Sequence, residues 1–152
     1  MDMEKNSGRG VMLHIGIDGG TKTGFAIWDS RLKKFTELKT VDFWTAYYMV
    51  QHYVPEEVRV YIEDPSQNKP VFKRPGMRDY EYAKKCQNVG MVKRESTLLI
   101  EGLERLGYKV TKVRPTKGSL TKMNKDRFRT LTKHQGTSSE HSRDAAMMVF
   151  QR

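Results

Sequence analysis

An α/β protein with a mixed five-stranded sheet flanked by helices is the fold class this sequence predicts, on three observations. Short apolar runs bounded by turn residues alternate with stretches of helical periodicity from Val11 to Phe150. The first three runs follow one another through polar turns, as strands of a meander do. Later runs are separated by long amphipathic stretches, giving the order βββαβαβαα, which suits a mixed sheet with crossover helices on its faces.

The elements follow in order. Residues 11–17 (VMLHIGI) form an apolar run ending at Asp18, and Gly19, Gly20 and Gly24 punctuate a turn before the second strand, 25–28. Residues 29–34 make another polar turn, and 35–41 alternate apolar and polar side chains like a half-exposed third strand. Asp42 can cap a helix in which Phe43, Tyr47, Val50 and Val54 recur at helical spacing, until Pro55 breaks it. Residues 58–62 are the fourth strand, which should lie beside the first. It ends in Glu63-Asp64-Pro65, and an aperiodic, Pro-rich, basic loop follows to Arg78.

Tyr82, Cys86, Val89, Val92, Ser96, Leu99, Leu103 and Leu106 then fall three or four apart, the stripe of a long amphipathic helix over 80–106 with Gly90 and Gly102 as weak points. Gly107 closes it, and residues 108–113 form the fifth strand. A basic connector, a short helix near 126–134 and a Gly136-Thr137-Ser138-Ser139 turn lead into a last helix, where Thr137 and Glu140 have capping-box spacing. This is the RNase H-like order, expected as one domain over 11–152 behind a flexible stretch 1–10.

Lysine and arginine number 28 against 18 acidic residues, and the net charge of +10 favours a polyanionic partner, with nucleic acid the first candidate. The basic residues crowd two turn-rich stretches, 69–78 and 114–129, where loops can track a phosphate backbone. A basic surface that binds no nucleic acid is the plainer alternative. Residues 1–10 lack a signal-type apolar stretch and no later run reaches bilayer length, so a soluble, cytoplasmic protein is expected. The single cysteine, Cys86, offers neither an internal disulfide nor a CxxC pair, which agrees with a reducing compartment.

The chemistry is in the acidic residues. Asp18 ends a central strand beside glycines that let another chain approach closely, and Glu63 ends the strand expected next to it. His141 and Asp144 are three residues apart on the last helix, on the face that Ala145 and Met148 continue into the core. Such groups are costly on a core-facing side unless paired or bound to a cation. Carboxylate oxygens suit Mg²⁺ or Mn²⁺, and four groups can hold two ions roughly 4 Å apart around a phosphodiester. Taken singly, Asp18 reads as a turn residue, Glu63 as a salt-bridge partner and His141 as an exposed helix residue. Asp64 and Glu140 are rival ligands; Asp64 faces away from Glu63 in an extended strand, and capping accounts for Glu140.

IGIDGGTKTGFAIWD, VYIEDP and HSRDAAMMV resemble, in order and separation, the three acidic motifs of the RuvC-type Holliday-junction resolvases, over nearly the whole chain. That resemblance implies a metal-dependent endonuclease resolving four-way junctions in branched DNA, with Asp18, Glu63, His141 and Asp144 as ligands of two Mg²⁺ or Mn²⁺ ions. It also implies a glycine of the long helix near the site, matched by Gly90, and connector lysines on the scissile phosphate. Lys117 and Lys125 are the candidates for the latter, with Lys112 and Lys122 as alternatives. Phe72 is the nearest match to the family's aromatic that acts on bases at the crossover. Lys73, Arg74, Arg78, Lys117, Lys122 and Lys125 are expected to contact the DNA backbone. The short termini and atypical connector resemble a phage-encoded or divergent member, at work in a bacterial or phage-infected cell. The long stripe over 82–106 further implies a possible pairing face for a homodimer.

Three other readings compete. GIDGGTKTG resembles the first phosphate loop of the sugar and acetate kinases, which need two such lobes where 152 residues supply one. A catalytically silent binding domain on the same fold would be expected to lack an acidic position, and none is missing. A nuclease acting on structured RNA remains compatible with every motif.

Overall fold

The computed structural model describes residues 10–115 and 122–152. Five strands, β1 (Leu13–Asp18), β2 (Thr23–Asp29), β3 (Lys34–Val41), β4 (Val58–Glu63) and β5 (Val110–Val113), form one sheet in the order β3-β2-β1-β4-β5. The meander β1, β2, β3 pairs antiparallel, while β1 pairs parallel with β4 and β4 parallel with β5. Helices flank this mixed sheet in an RNase H-like layout, and β4 lies beside β1, as expected from the element order.

Alternation along the strands sorts side chains between two cores. Ile15, Ile17, Phe25, Ile27, Val58, Val60 and Ile62 pack under α1 (Phe43–Val50) and α2 (Asp79–Arg105). Ala26, Trp28, Phe35 and Tyr61 face the other way, against Phe128 of α3 (Lys125–Thr132) and Ala145, Ala146, Met148 and Val149 of α4 (Glu140–Val149). Ile15, Ile17, Val60 and Ile62 are wholly buried, so each contributes roughly 1.5–3 kcal/mol from removal of its side chain from water. A one-residue slip of β1 would exchange the two faces and put Asp18 into the α1/α2 core.

Asp42 caps α1 by accepting a hydrogen bond from Thr45 N at 2.7 Å. The helix ends at Val50 rather than continuing to Val54, which is extended and 51% exposed. Pro55 disfavours helical geometry at the residue before it, and a 3-10 turn, Pro55–Glu57, takes over. In α2 the predicted stripe is covered only in part: Ser96, Leu99, Ile100 and Leu103 are buried, whereas Tyr82, Val89 and Val92 are half-buried and Cys86 is exposed. Twenty-seven residues span about 40 Å, longer than the sheet beneath them. Gly102 is a packing position rather than a weak point, since a Cβ there would lie 3.1 Å from the Tyr47 ring of α1.

The last helix starts differently from the sequence expectation. Its N-cap is Ser139, whose Oγ accepts from Ser142 N at 3.1 Å while Ser142 Oγ accepts from Ser139 N at 2.8 Å. Ser142 thus takes the return position of the capping box that Thr137 and Glu140 were expected to form, and Glu140 is left free of that role. Among the described residues no helix is long and apolar enough to cross a membrane.

Candidate active site

Asp18 lies two residues beyond Gly16 and Glu63 two beyond Tyr61, so strand alternation assigns both to the face covered by α4. Two glycines determine how closely α4 approaches that face. A Cβ on Gly16 would stand 2.2 Å from the carbonyl oxygen of Ala145, and one on Gly24 would stand 1.9 Å from that of His141. Without those side chains the α4 backbone rests directly on β1 and β2, and its first two turns reach the C-terminal ends of β1 and β4. Open α/β sheets bind ligands at that end, where connections leave in opposite directions.

Asp18, Glu63, His141 and Asp144 are brought together there. Asp18 is 9% exposed, and its carboxyl lies beside that of the half-buried Glu63. His141 Nδ1 stands 3.6 Å from Asp18 Oδ2. Burial first, then the charges of Glu63 and Asp144, push the Asp18 carboxyl up to about 8, with a smaller contribution from Glu140. Burial and Asp144 also raise Glu63, against the hydrogen bond from Asp18, which lowers it. The two carboxyls therefore titrate as a coupled pair that holds a proton more tightly than an isolated carboxyl does. Among the described residues no three His, Cys, Asp or Glu side chains stand in a ready-made chelating arrangement. The donor set is nevertheless one that hard divalent cations use: carboxylate oxygens with a single imidazole, on side chains that a few torsions would reorient.

The rival acids separate. Asp64 is buried, but its carboxyl accepts from Ser66 N at 3.1 Å and Ser66 Oγ at 2.6 Å, bonds that outweigh the raising effect of burial and hold it below the usual range. It caps the turn after β4, as its opposite facing implied. Glu140, set aside in the sequence as a capping residue, is close enough to Asp18 for its charge to be felt and belongs to the site's surroundings.

Among the connector lysines, Lys122 is tied to the site: its backbone N donates to Asp144 Oδ1 at 2.9 Å, and its φ of 51° is left-handed. Lys125 opens α3, exposed, with no contact to the four groups among the described residues. Lys112 is exposed on β5, where its charge acts on Asp64, and Lys117 lies outside the described residues. Arg143 clasps both approaches to α4, donating from Nε to Met123 O at 2.6 Å and from Nη1 to Ser138 O at 3.0 Å. Its position beside Asp144 on the helix was legible in the sequence; these partners were not.

On α2, the residue that meets the β1 turn is Ser96, not Gly90. Ser96 Oγ lies 2.9 Å from where a Cβ of Gly19 would be, and the side chain is 2% exposed with no hydrogen-bond partner. Gly90 sits on an open flank, about 9 Å earlier along the helix axis. The stripe marked Ser96 as inward-facing, but nothing in it marked the contact with Gly19.

In the basic loop, Phe72 is 71% exposed. Lys73 pairs with Asp79, and Arg78 Nη2 with Glu81 Oε1 at 2.8 Å, whereas Arg74 has no ion-pair partner among the described residues. Exposed pairs of this kind contribute little and exchange readily for a phosphate. No protein-family model, curated protein or solved structure matches this chain.

Proposed function

We propose that this chain is a divalent-metal-dependent endonuclease that hydrolyses phosphodiester bonds in branched DNA, with the four-way junction as its foremost substrate. The observation that carries the reading is the meeting of Asp18, Glu63, Asp144 and His141 at the ends of β1 and β4, in surroundings that push Asp18 up to about 8. Buried carboxylates so close together are held either by shared protons or by a cation. Asp18, Glu63, His141 and Asp144 would hold two Mg²⁺ or Mn²⁺ ions. Such ions, when bound, supply Lewis-acid polarisation of a phosphoryl oxygen and activation of water.

The chain's own part is placement and charge. Adjacent parallel strand ends fix Asp18 and Glu63, and the glycine-seated α4 fixes His141 and Asp144 above them. Lys122 starts its side chain beside Asp144, within reach of a scissile phosphate, where an ammonium stabilises charge that develops during hydrolysis. Arg74, Lys73, Arg78 and Lys125, all exposed, would neutralise flanking phosphates. The kinase-like alternative fits less well, because it needs two such lobes and the described residues form one five-stranded sheet.

Side-by-side incubation of labelled four-way junction, flap, linear duplex and structured RNA in Mg²⁺, with EDTA as control, tests the reading. Symmetric, EDTA-sensitive cleavage of the junction with the duplex spared is expected. Intact DNA of every form in both Mg²⁺ and Mn²⁺ would sink it, and cleavage confined to RNA would replace the substrate.

A further inference from the structure

Beyond Glu63 the chain passes to the side of the sheet away from α4. Asp64 turns it through its bonds with Ser66, and the segment then lies along α2, pinned where Tyr82 Oη donates to Val71 O at 3.0 Å. Between segment and helix runs a groove of about 320 Å³, within the ~300–1,000 Å³ of small-ligand sites. Pro65, Val71, Val89 and Val92 form its walls, and all four are half-buried.

The remaining lining restricts what could fill it. Lys69 and Lys93 border the groove with their stems, leaving their ammonium groups free to reach its rim, no acidic side chain lines it among the described residues, and Asn68 and Asn88 add two amides at its edge. Aliphatic walls favour a flat apolar body, the amides a hydrogen-bonding edge, and the lysines an anionic tether. An unstacked nucleotide joins all three properties. An apolar protein surface would match the walls but make no use of the lysines at the rim.

Two of the lining residues lie close in the chain to the acidic site. Pro65 is two residues past Glu63, and Lys93 is one turn before Ser96, which meets the Gly19 turn beside Asp18.

We propose that this groove binds one unpaired, unstacked nucleobase of a strand whose backbone continues to the acidic site. The inference rests on the nuclease reading for the direction of that strand, but base capture itself needs neither ions nor cleavage. The edge amides make the slot selective for hydrogen-bonding pattern, and the requirement for an unstacked base makes it selective for branch points over continuous duplex.

The test uses the full chain in EDTA with junction DNA carrying one 2-aminopurine, moved in turn through the positions flanking the crossover. Fluorescence at one position should rise several-fold on binding, as the probe leaves the stack for a pocket without aromatic rings. Val92→Phe, which fills the groove, should remove that rise and weaken junction binding about fivefold or more while leaving linear duplex binding unchanged. Asn88→Ala, on an exposed helical position, is the second variant should Val92→Phe disturb folding, and it should reduce the rise. No rise at any position, or a full rise in both variants, overturns the proposal. Sedimentation in which Val92→Phe splits a dimer would overturn it as well, giving the groove to a second copy of this chain. A rise in EDTA without cleavage in Mg²⁺ keeps the base slot and rejects the nuclease; cleavage without a rise does the reverse.

Discussion

Asp18→Asn should make the metal-free protein less sensitive to alkali. In the folded chain burial, then Glu63 and Asp144, raise the Asp18 carboxyl from 3.8 to about 8, so the folded state holds that proton more tightly than the unfolded chain does. The stability this provides is complete below pH 3.8 and is lost as pH rises towards 8. Each pH unit in the window removes at most about 1.4 kcal/mol, so passing from pH 5 to pH 8 removes no more than about 4 kcal/mol. Glu63 is raised as well, so loss of its proton adds to the same weakening as pH rises. The amide of Asp18→Asn keeps a donor for Glu63 and has no proton to lose. Urea denaturation in EDTA at pH 5, 6.5 and 8 should show the wild type weakening with pH and the variant weakening less. Added Mn²⁺ at pH 8 should restore the wild type and not the variant, because an ion that binds only the folded state stabilises it by mass action. Parallel pH profiles for the two proteins, with no response of either to Mn²⁺, would refute the shared-proton site.

Asp144→Asn keeps the acceptor for Lys122 N but loses the charge, so junction cleavage should fall about a thousandfold or more with binding retained, as single-turnover rates and mobility shifts would show. Gly24→Ala forces a methyl against the His141 carbonyl and should cost about 1–3 kcal/mol or more in urea denaturation. The triple alanine variant of Lys73, Arg74 and Arg78 should flatten the dependence of log affinity on log salt by roughly 0.9 for each phosphate it no longer neutralises; an unchanged slope would show that this stretch only faces solvent. Lys122→Ala should lower turnover more than affinity, whereas Lys125→Ala, farther along the connector, should mainly lower affinity.

The sheet was legible because its strands are short apolar runs bounded by turn residues, with alternation in 35–41, and Asp18 and Glu63 were legible because each ends such a run. His141 and Asp144 followed from their spacing and from Ala145 and Met148 behind them. Several features depend on contacts between distant segments and leave no local pattern. The start of α4 was misplaced because Thr137 and Ser139 both head acceptable capping sequences, and packing on Thr40, whose hydroxyl meets Ser139, accompanies the second choice. Gly16 and Gly24 read as ordinary strand and turn glycines until a helix is laid over them. Gly90 came from the family resemblance, whereas the buried, unpartnered hydroxyl of Ser96 leaves no mark in the sequence.

Under the proposed function, the bond from Lys122 N to Asp144 Oδ1 couples the connector to an oxygen that a cation would also use. Thermodynamic reciprocity then applies: whatever factor an ion takes from the connector's hold on Asp144, the connector takes from the ion's affinity. A strand that drew the basic connector towards its phosphates would release Asp144 and tighten ion binding by that factor. On that proposal a cation would be held less firmly by the free protein than by the engaged one, an interlock set by one backbone amide.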